Sequence, residues 1–371
     1  MKRAWFFVLA LLAVPAAARD AGKPPEPKAR NIILFVADGA GVTSLSAASI
    51  FGYNRPNALY VQAMPYLGLA DTSTASGWIP DSGASATAMA TGVKTNNYIV
   101  GETPDAVVDV SDGTALKTVM EYAQEHGLAT GIISNDDPQG ITNGIVSAFY
   151  AHSNNRLASG KIFAQLLAPR YGSGIDVVIG TGRAQVIAKQ QSDDPALTAA
   201  ITARGYRYVR SLDQLAALPT EVGRVMMLTD DPDFSIEAAT SQAITRLSRN
   251  PRGYFLVVFT NSHLSDARKN LQRIVEVDRA VRASEEGHEQ DTLSIFTADH
   301  GFHLLMQGEH LAENRRTDKG EDVLRLVSLE DQHTGEAVPV LARGPGAQRV
   351  HGFMSNTDLF DVTMSAFGWS H

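Results

Sequence analysis

The chain is 371 residues long, with 40 acidic residues against 32 Lys and Arg, a net charge of −8, ten histidines and no cysteine. The lack of cysteine excludes disulfides, thiolate nucleophiles, thiolate-bound zinc and iron–sulfur clusters, so a metal would have to be held by His, carboxylate, amide or hydroxyl ligands, a set that suits zinc and magnesium. The acidic surplus repels nucleic acid and argues against a polyanion partner.

Residues 1–18 read as an export signal: Lys2 and Arg3 give a charged start, Trp5 to Val14 an apolar run, and Ala16 to Ala18 a small-residue cleavage site. The run is too short to span a membrane. No cysteine follows it to carry a lipid, so a periplasmic or secreted protein without a membrane anchor is expected. Residues 19–30, with Pro24, Pro25 and Pro27, read as a flexible linker, which leaves residues 31–371 as one domain.

Apolar strands are expected at Asn31 to Val36, Ala129 to Ile133, Ile175 to Ile179, Arg224 to Leu228, Tyr254 to Thr260, Leu293 to Thr297 and Val338 to Leu341. Helical spacing marks Leu116 to His126, which ends at Gly127, and then Ile236 to Arg249 and Ala267 to Ser284. Continuously apolar strands separated by helices imply an α/β protein, an αβα sandwich around a mostly parallel sheet. In such a sheet the chemistry belongs at the carboxyl ends of the strands.

Three strand ends carry candidate ligands: Asp38, His263 and the adjacent pair Asp299 and His300. A lone Asp after a strand is also an ordinary turn or cap residue. An Asp-His pair is harder to explain structurally, since both side chains aim into one cleft, and three such ends together would make a sulfur-free metal site. Between Pro80 and Met89, Ser82 precedes a run of small residues that suits a tightly packed helix. Free N–H groups at a helix start favour negative charge, which makes Ser82 a nucleophile candidate; the alternative is that Asp81 or Ser82 merely caps the helix. Ser82 does not sit in a Gly-x-Ser-x-Gly elbow, so activation by a metal ion is the more natural route than a Ser-His-Asp triad.

Four segments together resemble the alkaline phosphatase family, in the family's order: NIILFVADG over Asn31 to Gly39, DSGASATAMATGVKT over Asp81 to Thr95, TADHG over Thr297 to Gly301 and HTGEAVPV over His333 to Val340. The match covers most of the chain and is weaker from about Gly182 to Arg252. The resemblance implies hydrolysis of phosphate monoesters through a phosphoseryl intermediate, with two zinc ions and usually one magnesium. It implies Ser82 as nucleophile, Asp38, Asp299 and His300 as ligands of the zinc that also holds the Ser82 oxygen, and His263 and His333 as ligands of the other. Asp38 and Thr142 would face magnesium. Arg156, four residues after His152, matches the arginine that clamps phosphate oxygens through a planar guanidinium. Small phosphorylated substrates, phosphate and a homodimer are likewise implied.

The segment VFTNSHLSD over Val258 to Asp266 departs from the family. No carboxylate occurs between Gly253 and Ser265; Phe259 stands where the magnesium glutamate belongs and Asn261 where a zinc aspartate belongs. One zinc site is thus complete, the second is weakened to a neutral Asn261 amide with Asp266 as the acid nearby, and an intact magnesium site is not expected. Ile141 to Gly144 replaces the usual Thr-Pro or Ser-Pro, and Gly140, Ala37 and Ala40 are further small departures. A second reading follows: a catalytically degenerate member that binds phosphate or phosphorylated ligands without efficient turnover. Of the other histidines, His126 suits a helix C-cap, His288, His351 and His371 read as surface or terminal residues, and His303 and His310 belong to a loop-like insertion, His303 to Gln332, that would cover the cleft.

Overall fold

The computed structural model describes residues 28–186, 195–287, 290–308 and 319–370. The export signal, most of the linker, His288, His310 and His371 lie outside the described residues. Twelve strands are present among the described residues: β1 (Asn31–Ala37), β2 (Tyr66–Asp71), β3 (Ala129–Ser134), β4 (Val177–Gly180), β5 (Tyr206–Val209), β6 (Arg224–Leu228), β7 (Tyr254–Thr260), β8 (Thr292–Thr297), β9 (Gly301–Met306), β10 (Val327–Thr334), β11 (Val338–Arg343) and β12 (Gly352–Ser355). The helices are α1 (Val42–Tyr53), α2 (Ser82–Thr91), α3 (Val119–Glu125), α4 (Gly144–Ser147), α5 (Ser159–Leu167), α6 (Arg183–Val186), α7 (Pro195–Ala203), α8 (Leu212–Ala217), α9 (Ile236–Leu247), α10 (Ala267–Glu285) and α11 (Asp358–Phe367).

Ten strands form one sheet in the order β12-β2-β11-β8-β1-β7-β3-β4-β6-β5, with β11 alone running against the rest. The central strands β1, β3, β7 and β8 are buried along their whole length, as their unbroken apolar runs require when both faces are covered. Helices α1, α9 and α10 pack together over one face; α2, α3, α4 and α11 cluster over the other. The αβα sandwich read from the sequence is therefore the fold observed.

Several elements differ from the sequence reading. Helix α3 starts at Val119 rather than Leu116 because Thr118 caps it: its Oγ1 accepts from Glu121 N at 3.2 Å while Glu121 Oε2 accepts from Thr118 N at 2.8 Å. His126 does occupy the C-cap, where its ring stacks on Trp369 with centroids 4.2 Å apart. Strand β11 is antiparallel, which its apolar run alone could not reveal. The segment expected as a loop-like insertion instead carries β9 and β10, paired antiparallel as a ribbon outside the main sheet, with residues 309–318 between them undescribed.

Candidate metal and phosphate site

Register brings the strand-end residues level. Val36 on β1 pairs with Thr297 on β8, and Ala37 pairs with Thr260 on β7, so Asp38 emerges beside Asp299 on one side and Asn261 on the other. Hydrogen bonds lock the ends together: Asp38 N donates to Thr260 O at 3.0 Å, Ser262 Oγ donates to Asp38 O at 2.6 Å, and Gly39 N donates to Asp299 Oδ1 at 3.1 Å. His300 follows at once, and its Nδ1 lies 2.9 Å from Gly301 O, which orients Nε2 toward the carboxylates. That Nε2 stands 3.2 Å from Asp38 Oδ1, 3.1 Å from Asp299 Oδ2 and 3.4 Å from Ser82 Oγ.

His333 arrives from β10 and is pinned by Nδ1 to Pro80 O at 2.7 Å, two residues before Ser82. Its ring stacks on His300 at 3.6 Å between centroids, and His263 meets it edge-on at 5.0 Å. Two groups have their ligand atoms gathered closely enough to share an ion: Asp38, Asp299 and His300 form one, and His263, His300 and His333 the other.

Electrostatics in this cluster favour positive charge at its centre. Burial works to raise the Asp38 carboxyl, but the facing imidazoles of His263 and His300 outweigh it and hold the group well below the usual carboxylate range. Burial likewise opposes charge on His300, and Asp299 with Asp38 overcomes it, raising the imidazole well above its ordinary 6.5. His333 goes the other way: burial and the neighbouring His300 both lower it. Asp38 Oδ1, Asp299 Oδ2 and His263 Nε2 are buried and have no aligned hydrogen-bond partner. Buried polar atoms left this way are costly, and cations in the two groups would satisfy them. The donor set, nitrogen and carboxylate oxygen without sulfur, fits zinc.

Helix α2 supplies the hydroxyl. Asp81 is its N-cap, accepting from Gly83 N at 3.1 Å and Ala84 N at 3.2 Å, so Ser82 is the first helical residue and is free of capping duty. The Ser82 side chain is buried and faces His300, and Ser85 Oγ one turn on donates to Asp299 O at 2.6 Å, tying the helix to the end of β8. Arg156 donates from Nη1 to Asp81 Oδ2, and its backbone N donates to Tyr98 O at 2.8 Å. Its Nε is buried without a partner. Glycine at 83 and 144 permits this approach: a Cβ on Gly83 would lie 3.2 Å from Arg156 Cδ, and one on Gly144 would lie 2.9 Å from both Gly83 Cα and Gly83 N.

His152 is held rather than exposed to the cleft. Its Nδ1 is 2.8 Å from Gly101 O and its Nε2 3.0 Å from Glu121 Oε1, both side chains being almost wholly buried. Burial lowers this imidazole's tendency to protonate, yet Glu121 prevails and raises it above 6.5. Gln165 brackets the same residue, accepting from His152 N and donating to His152 O at 2.9 Å each. The segment leading to Arg156 is thereby fixed.

The remaining candidates are placed as follows. Thr142 is buried, and its Oγ1 donates to Gln139 O at 2.8 Å. Asn261 turns toward β3: its Nδ2 donates to Asp136 Oδ1 at 2.8 Å and its N to Asn135 Oδ1 at 2.9 Å, while its own Oδ1 is buried and unpartnered. Phe259 is fully buried between Val36 and Ser134 of the neighbouring strands. Asp266 caps α10, accepting from Lys269 N at 2.9 Å. His303 pairs with Glu330 at 3.2 Å on the ribbon.

Two residues at the site were missed in the sequence. Asp136 lies just past β3, buried, and burial raises its carboxyl. Asp331, on β10, has Oδ1 2.9 Å from His263 Nε2. Its only signal was the spacing to His333, two residues on, and that spacing has meaning only once the segment is known to be extended.

In this αβα sandwich, adjacent parallel strands thus deliver carboxylates and imidazoles to a buried serine at a helix start. Residues 29–329 match the sequence profile of alkaline phosphatase, and the chain belongs to the alkaline phosphatase family. It is 28% identical to the tissue-nonspecific alkaline phosphatase of Gallus gallus, covering 90% of this chain and 74% of that protein. It is 27% identical to the streptomycin-6-phosphate phosphatase of Streptomyces griseus, covering 97% and 95%. Among solved structures, the alkaline phosphatase of the Antarctic bacterium TAB5 superposes with a TM-score of 0.74 at 22% identity, over 93% of this chain and 100% of that one. The Thermus thermophilus alkaline phosphatase gives 0.75 at 20% identity, over 97% and 96%. These two share the fold. No described helix is long and apolar enough to cross a membrane.

Proposed function

We propose that this chain hydrolyses phosphate monoesters by double displacement at Ser82, with zinc held by Asp38, Asp299 and His300 and a second ion beside His263 and His333. Family membership supports phosphomonoester hydrolysis; the observation that carries the mechanism is the Ser82 Oγ, buried at the start of α2 and 3.4 Å from His300 Nε2. Bound zinc would supply Lewis acidity, lowering the pKa of the hydroxyl it touches and stabilising charge on the attacking and leaving oxygens.

The chain's own groups divide the rest of the work. Ser82 Oγ attacks phosphorus, the bond to the alcohol oxygen breaks, and the alcohol leaves after taking a proton; water then attacks the phosphoserine, which releases phosphate and restores the hydroxyl. Arg156, steadied by Asp81, presents its guanidinium to two of those oxygens at once. Phe259 fills the core at the position of the family's magnesium carboxylate, so the proposed cofactor is zinc, without a dedicated magnesium site. The leader-like first 18 residues favour a periplasmic or secreted setting, and small phosphorylated molecules are the partners this cleft chemistry fits.

Zinc-loaded protein should release the chromophore from a chromogenic phosphomonoester at alkaline pH, and Ser82→Ala should abolish release while phosphate still binds. Calorimetric phosphate binding with no turnover under any divalent metal would refute this reading and establish the degenerate phosphate-binding one.

A further inference from the structure

We propose that Asp331, carried on the β9–β10 ribbon, is a carboxylate ligand of the second metal cluster, which it joins beside His263. The inference rests on the zinc reading above and deepens it, by replacing the weak neutral Asn261 amide with a charged ligand from another part of the chain.

The second cluster is otherwise short of charge. Its three gathered ligands are imidazoles, and His300 is already engaged with Asp38 and Asp299. The residues that follow β7 supply no charge to make this up: Asp266 caps α10, and Asn261 gives its amide N–H to Asp136 and keeps only a neutral, unpartnered Oδ1. Asp331 Oδ1, by contrast, sits 2.9 Å from His263 Nε2, yet that nitrogen has no aligned hydrogen-bond donor or acceptor. Two ligand atoms brought this close without hydrogen-bond alignment are arranged as neighbours on a shared ion would be.

The ribbon is built to deliver this contact. Leu329 pairs with Leu304 and His333 with Phe302, so four steps along β10 oppose two along β9. The two extra residues form a bulge spanning Glu330 to Gln332, and a bulge re-aims side chains out of the regular ladder. Asp331 lies at its centre. Glu330, one residue earlier, pairs with His303 instead. The side chain of Asp331 is 75% exposed, so it would close the cluster from the solvent side, and an ion there would join β10 to the end of β7.

The test is zinc stoichiometry and affinity, measured on the full chain by elemental analysis and by competition with a chromophoric chelator. Wild type should bind two zinc ions per chain. Asp331→Asn should keep one tight ion and bind the other roughly tenfold or more weakly, the scale on which a lost supporting group loosens a metal site. Asp266→Asn, which retains a capping side chain, should bind both as wild type does. Because Asp331 is exposed, metal-free Asp331→Asn should unfold at the same denaturant concentration as metal-free wild type, separating ligand loss from misfolding. Two ions bound with unchanged affinity by Asp331→Asn would overturn the assignment and leave the catalytic reading standing. A wild type that binds no zinc would overturn both.

Discussion

The contact between α2 and α4 sets where the serine stands, and Gly144→Ala tests it. Gly144 does not have a left-handed φ, so alanine fits its backbone and the only perturbation is one methyl group. That Cβ would lie 2.9 Å from Gly83 Cα and N and 3.3 Å from Arg156 Nε. Non-bonded carbons rest at about 3.5–4.0 Å, so the start of α2 and α4 must separate by roughly half an ångström or more. The obstructing atoms are backbone, which cannot rotate away, and overpacking of this kind costs about 1–3 kcal/mol. Ser82 is the residue next to Gly83, so it moves with the strain. A misplacement of about 1 Å can cost on the order of a hundredfold in rate, and half that shift corresponds to roughly tenfold in kcat. Denaturant unfolding and steady-state kinetics on a chromogenic phosphomonoester read the two effects separately. Gly160→Ala is the control: no atom lies within 4 Å of its Cβ, and replacing glycine in a helix there should be neutral or stabilise by about 0.5–1 kcal/mol. Wild-type kcat and unfolding midpoint in Gly144→Ala would refute the claim that this close approach positions the nucleophile.

Arg156→Lys should lose most of what Arg156→Ala loses, about tenfold or more in kcat/KM, because an ammonium cannot span two phosphate oxygens while bonding Asp81; equal kinetics for Lys and wild type would argue against a bidentate clamp. His152→Gln should destabilise the fold by about 3–5 kcal/mol, since it breaks a buried pair and leaves Glu121 unneutralised. This loss depends on pH with a definite sign. The imidazole's folded pKa is raised above 6.5, so its stabilisation is complete below that value and fades as pH rises through the raised one. The gap in unfolding free energy between wild type and His152→Gln should therefore be larger at about pH 5.5 than at about pH 9. A gap that widens with pH would contradict the assignment.

The sheet was legible because its central strands are buried on both faces. Arg224 to Leu228 and Tyr254 to Thr260 were read with their observed bounds, since an apolar run flanked by turn residues has few other interpretations. Strands β2, β5, β9, β10 and β12 escaped for the converse reason. Most have residues that alternate between buried and exposed or stand largely in solvent, as Tyr66 to Asp71 and Val327 to Thr334 do, and what makes them strands is a partner distant in sequence. The antiparallel course of β11 is a fact of topology that no local pattern encodes.

The same distinction runs through the site. Asp38, His263, Asp299 and His300 were found by looking past the ends of buried parallel strands, and register then places them together. His333 sits on the ribbon, off the main sheet, and no strand-end rule reaches it; it was found only through the resemblance. Asp331 was out of reach of both. It lies off the sheet, and no family motif marks it, because its nearness to His263 depends on a bulge that only β9 reveals. On that assignment the ribbon brings one carboxylate to a cluster that the segment after β7 leaves without any. A cluster need only collect the right atoms around a point, and the chain that supplies each atom is free to differ. The missing carboxylates of Val258 to Asp266 are thus a statement about one segment of sequence, and the ribbon folded over that segment is where the compensating charge is found.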